Sequence, residues 1–87
     1  MKPYTDVLTT ENTIIREFGD NIDPVELMWH MDENSRHVTI LEGKGWKYQE
    51  DNKLPLELNE GDCIFIPKQT FHRIYKGTTP LKIKINQ

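Results

Sequence analysis

Leu81, Ile83 and Ile85 alternate with Lys82 and Lys84, and the same two-residue period recurs along most of the chain. Successive side chains of a strand point to opposite faces, so this pattern predicts half-buried strands rather than amphipathic helices. Val38 and Ile40 flank Thr39 in a strand that stops at Glu42-Gly43-Lys44-Gly45. Trp46 and Tyr48 flank Lys47, and Glu50-Asp51-Asn52 reads as a polar hairpin turn. Leu54, Leu56 and Leu58 alternate with Pro55 and Glu57. A proline cannot donate to a strand ladder, so this strand is predicted at a sheet edge. After a turn at Asn59-Glu60-Gly61-Asp62, the apolar run Cys63-Ile64-Phe65-Ile66 ends at Pro67.

The first third is less regular. Thr13 to Phe18 reads as a strand or as one helical turn, ended by Gly19 and Asp20; Asp23-Pro24 marks a turn, and Val25 to Met31 reads as a strand. Roughly seven or eight short strands without a long helix predict an all-β protein, a sandwich or a small barrel.

Length, at 87 residues, predicts a single domain over 1–87. A domain this short buries only about 60% of its unfolded surface, so a closed sheet or a homodimer would help it. With 36% hydrophobic and 29% charged residues the chain is globular in composition rather than disordered. A formal charge of -3, without a basic stripe, argues against nucleic acid as a partner. No stretch approaches the ~20 apolar residues of a membrane span. The start of the chain lacks the apolar centre of a secretion signal, so the expected location is cytoplasmic and no membrane partner is expected. Cys63 has no second cysteine to bridge to, and inside an apolar run it is expected to be a buried, inert thiol.

Candidate chemistry centres on the histidines. Gly61-Asp62-Cys63-Ile64-Phe65-Ile66-Pro67, with His72 five residues beyond the proline, resembles the second sequence motif of the cupins. Ile40-Leu41-Glu42-Gly43-Lys44-Gly45 resembles the hairpin that closes the first cupin motif. The resemblance runs from Trp29 to Tyr75, about half the chain. It implies a small antiparallel double-stranded β-helix, the cupin barrel. It also implies an interior divalent metal (Fe, Mn, Ni or Zn) held by three histidines and a glutamate. Position by position, His30 and His72 stand where the family has histidines, Asp32 replaces the third, and Arg36 replaces the glutamate. Gln69 stands where the family has a glycine, two residues after the proline.

His30, Asp32 and His72 together have the composition of the two-histidine, one-carboxylate triad that binds iron with open positions. Arg36 works against a metal, since a guanidinium cannot ligate, stays charged and repels a cation nearby. It could pair with Asp32 instead, or reach an anionic ligand. Three readings of the interior stand open. One is a metal site on His30, Asp32 and His72; another is a metal-free pocket for a small anionic organic ligand held by Arg36. The third is a vestigial site closed by an Asp32–Arg36 ion pair. At the level of function, the alternatives are an interior small-molecule site and a non-catalytic barrel acting as an interaction module. An enzyme of this kind would oxygenate or isomerise a small organic acid.

The two-residue period places Leu27, Trp29 and Met31 on the face opposite His30 and Asp32, and that face is the more hydrophobic. Taken alone, the pattern would bury the Trp29 face and leave His30 in solvent. Otherwise the Trp29 face requires cover, from Ile14, Ile15 and Phe18 or from a second subunit, with Trp29 the anchor of a homodimer. His37 reads as a surface residue, Trp46 and Tyr48 as packing residues, and Phe71, Arg73 and Tyr75 as an outer face. Glu33 lies in a polar turn from which it could replace the missing carboxylate.

Overall fold

The computed structural model describes residues 4–19, 21–22, 29 and 31–86. Among them are eight strands: β1 (Tyr4–Thr9), β2 (Thr13–Phe18), β3 (Arg36–Glu42), β4 (Lys47–Glu50), β5 (Leu56–Glu57), β6 (Cys63–Ile66), β7 (His72–Tyr75) and β8 (Leu81–Asn86). They form a five-stranded sheet in the order β1-β2-β8-β3-β6 and a three-stranded sheet in the order β5-β4-β7. Every pairing is antiparallel. No helix among the described residues is long and apolar enough to cross a membrane.

Alternation decides which side chains enter. In β3, Val38 and Ile40 are buried while His37 is exposed. In β8, Leu81 and Ile85 are buried between lysines, and in β2, Ile14 and Phe18 are buried. The inner faces of both sheets, together with Trp46 and Leu58, share one hydrophobic core. The β3–β8 register runs Val38↔Ile85 and Ile40↔Ile83, then shifts to Glu42↔Lys82. Two residues of β3 there oppose one of β8, which is a β-bulge at Leu41. The inward series of β3 therefore ends at Ile40, and Glu42 faces solvent within 3.8 Å of Lys82.

Trp46 closes one end of the core. It is fully buried, its ring lies 6.0 Å from that of Phe18, and its indole Nε1 donates to the Thr79 carbonyl at 2.6 Å. A buried indole N–H left unpaired would be costly, so this bond fixes the ring's orientation. The backbone of the same hairpin is tied to the β7–β8 loop, with Thr78 N donating to Lys44 O at 2.9 Å and Lys44 N donating to Thr79 Oγ1 at 3.0 Å. Gly77 allows this close approach, since a Cβ there would overlap Lys44 O and the Trp46 ring.

Several sequence-based expectations need correction. Cys63 is exposed, because Ile64 and Ile66 take the inward positions of β6 and leave Cys63 and Phe65 outside. Of the three leucines near β5, Leu58 is buried but Leu54 and Leu56 are exposed, the strand being two residues long at the sheet edge. Ile14 and Phe18 do not cover an outer face; they are core residues of β2, which is a strand and not a helical turn. Strand β1 was not anticipated. Its side chains are almost all exposed, so no buried face marks it in the sequence. Within the expected strand from Val25 to Met31, residues 25–28 and His30 lie outside the described residues, and Trp29 and Met31 are not in a strand.

Candidate functional site

The inward faces of the two sheets enclose a cavity of about 410 Å³. Among the described residues most of its wall is aliphatic, from β3, β6, β7 and β8, and its ionisable side chains include Asp32, Arg36, His72 and Arg16. Arg36 opens β3 and shares the inward face of Val38 and Ile40. His72 opens β7 and is 3% exposed. Asp32 precedes β3 in a loop whose position is fixed from the other motif. Gln69 N donates to the Asp32 carbonyl at 2.8 Å, and Lys68 N donates to Ser35 Oγ at 3.0 Å. The turn after Pro67 thus holds the loop that carries the carboxylate.

These contacts gather three of the four candidate residues. His72 Nε2 lies 3.4 Å from Asp32 Oδ2, and Arg36 Nη1 lies 3.8 Å from the same oxygen. His72 Nδ1 is 2.9 Å from the Thr70 carbonyl, which can only accept, so Nδ1 carries a proton. In the neutral ring Nε2 then presents its lone pair toward the carboxylate, which favours a proton or a cation between them. Metal-binding histidines commonly have this arrangement, with the second nitrogen donating to a backbone carbonyl. Two ligands about 2.1 Å from a tetrahedral ion lie roughly 3.4 Å apart, so the pair fits a shared ion. The Arg36 guanidinium beside the same oxygen opposes one. His30 lies outside the described residues, and so does any test of its distance from His72. Among the described residues no group of three or more His, Cys, Asp or Glu side chains is placed to hold a metal. Glu33 is exposed in its turn.

Trp29 lines the same cavity as Asp32 and is 37% exposed. This corrects the expected outward placement of Trp29: the two-residue period does not apply where the backbone is not a strand. Arg73 stacks on the outer side, its guanidinium carbon 4.3 Å from the Tyr75 ring centroid and 5.8 Å from that of Trp29.

Three contributors were missed in the sequence. Arg16 lies on the inward face of β2 with Ile14 and Phe18, so the spacing 14, 16, 18 would have found it. Two hydrogen bonds to Asp6 hold it, at 2.8 and 3.3 Å, and its guanidinium carbon sits 3.7 Å from the Tyr4 ring centroid. Tyr48, read as packing, also lines the cavity, its ring 5.7 Å from that of His72. Its hydroxyl donates to Glu50 Oε1 at 3.2 Å. Burial first, and then the negative charge of Glu50, push the Tyr48 phenol well above its ordinary value. Glu50 lies across the ladder from His72 and is held below the usual carboxylate range, chiefly by its hydrogen bond from Lys53 at 2.8 Å.

No family model and no curated protein matches the sequence. Solved structures do match the fold. A cupin-like protein from Thermotoga maritima superposes with a TM-score of 0.64 at 21% identity, over 97% of this chain and 66% of that one. An RmlC-like cupin family protein with a double-stranded β-helix fold, from Methanocaldococcus jannaschii, gives 0.67 at 19% identity, over 98% of this chain and 77% of that one. A DMSP lyase structure gives 0.70 at 19% identity over 87% of this chain, which spans only 38% of the lyase's length. With two antiparallel sheets closed around an interior cavity and these neighbours, the chain has the cupin fold, a double-stranded β-helix.

Proposed function

We propose that the chain binds a small anionic organic molecule inside the barrel, with Arg36 receiving its charge. The supporting observation is the convergence of Arg36, Asp32 and His72 on one cavity of about 410 Å³, a size within the range of small-molecule sites. A divalent ion (Fe, Mn, Ni or Zn) would be held by His72 and Asp32, with His30 as the expected third ligand. Bound there, it would supply a Lewis acid with open positions. A lyase among the structural neighbours supports keeping an enzymatic role, on a small organic acid, within this reading.

Calorimetry on tag-free, chelator-treated protein tests it, with benzoate and zinc titrated separately. Benzoate binding that is lost in Arg36→Met supports the anion site. Benzoate heats that are absent, or unchanged in the variant, would count against it.

A second reading is a non-catalytic interaction module whose polar interior is spent on the Asp32–Arg36 pair. The exposure of Trp29 and Met31 favours it, since a homodimer would cover both. Sedimentation of the wild type against Trp29→Glu tests its dimer form: a monomer across micromolar concentrations removes the homodimer.

A further inference from the structure

We infer that the interior site takes a monocarboxylic acid with a hydrocarbon body and rejects hydroxylated acids of the same size. The inference rests on the anion reading above and specifies its ligand class.

Among the described residues, the wall away from Asp32, Arg36 and His72 is mostly aliphatic and aromatic. Ile64, Ile74 and Ile83 are only partly buried by the protein, yet they line the cavity and pack against the core. Their exposed area faces the space a ligand would fill. None offers a hydrogen bond, so a hydroxyl pressed against them loses water and gains nothing, weakening binding roughly 5- to 100-fold.

Two polar side chains elsewhere on the wall are already engaged. Arg16 gives Nε and Nη2 to Asp6 and stacks on Tyr4, while the Tyr48 hydroxyl donates to Glu50. Arg36 differs. Its one ion pair, at 3.8 Å, is beyond hydrogen-bond reach, and its buried Nε finds no partner among the described residues. A ligand carboxylate accepting from the guanidinium's terminal nitrogens would meet it in the planar geometry that group favours. Asp32, beside the same guanidinium, repels a second negative charge, which selects a monoacid over a diacid. At about 30 Å³ per water-sized unit, the cavity holds on the order of a dozen non-hydrogen atoms.

The test is calorimetry of the full chain with three matched probes: cyclohexanecarboxylate, its neutral amide, and quinate, the same ring carrying hydroxyls. The acid should bind at least roughly tenfold tighter than the amide, and quinate at least roughly 100-fold weaker than the acid. Arg36→Met should remove the preference for acid over amide. Ile83→Thr should weaken cyclohexanecarboxylate several-fold. Should Arg36→Met fail to fold, the three wild-type affinities still decide. Quinate binding as tightly as cyclohexanecarboxylate, with Arg36 still required, overturns the hydrocarbon-body inference and leaves the anion site standing. Equal binding of acid and amide overturns both, as does the absence of binding by all three probes at millimolar concentration.

Discussion

Gln69 donates its backbone N–H to the carbonyl of Asp32 at 2.8 Å while held at a φ of 57°. That left-handed conformation costs a side-chain-bearing residue about 1–2 kcal/mol. The strain sits in the contact that places the site's carboxylate, between the turn after Pro67 and the loop before β3.

Replacing Gln69 with glycine should therefore stabilise the fold by about 0.5–1 kcal/mol, the relief of strain exceeding the entropy glycine adds to the unfolded chain. Urea unfolding should show a higher midpoint at unchanged slope. Gln69→Val should lower it, because a β-branched residue tolerates this φ poorly.

Gly77→Ala should destabilise by about 3 kcal/mol or more, since its Cβ would overlap Lys44 O and the Trp46 ring, and overpacking of a filled core is costly. The Trp46 emission should shift to the red as Thr79 loses its grip on the indole. A variant with wild-type stability and emission would show that the two loops separate at little cost.

Tyr48 and Glu50 give the pH profile two limbs. The folded chain keeps the Tyr48 proton that the unfolded chain releases near pH 10.0, so stability falls as pH rises above that point. Glu50 works in the opposite direction. The unfolded chain takes up its proton near pH 4.5 and the folded chain resists, so stability is lost as pH falls below that value. Tyr48→Phe should flatten the alkaline limb and Glu50→Gln the acid one. Chemical unfolding at about pH 11 and about pH 3.5, each against pH 7, reads both.

Arg36→Glu exchanges a repelling cation for a ligand beside Asp32 and His72. Zinc affinity measured by calorimetry should rise roughly tenfold or more. An unchanged affinity would place Arg36 outside the reach of any ion at the Asp32–His72 pair.

Much of this arrangement was legible in the residues, for a definite reason. Where a strand has one wet face, alternation names the buried residues, and Val38, Ile40, Leu81 and Ile85 are found where the pattern put them. The same rule brings Arg36 onto the inner face of β3, and its consistent use on β2 would have revealed Arg16. It fails where that condition fails. Trp29 and Met31 are not in a strand, so counting by twos misassigned Trp29, while β1 has no buried face to give a signal. Cys63 looks buried only if its run counts as uniformly apolar; the run alternates, and Cys63 falls on the outer face. The tie between Tyr48 and Glu50 depends on side-chain contact across a hairpin, which no period encodes. Gln69, which stands where the resemblance expects a glycine, has the left-handed backbone that glycine tolerates best.

The bulge at Leu41 has a consequence for how this chain can change length. Between Arg36 and Ile40 each residue's facing depends on the count, so one insertion there would send Arg36 outward and bring His37 toward the cavity. Beyond Ile40 the count has already slipped by one against β8. Length variation after that point can be taken up by the hairpin while the five residues before it stay in step. The bulge thus separates a stretch where reading frame matters for chemistry from one where it does not.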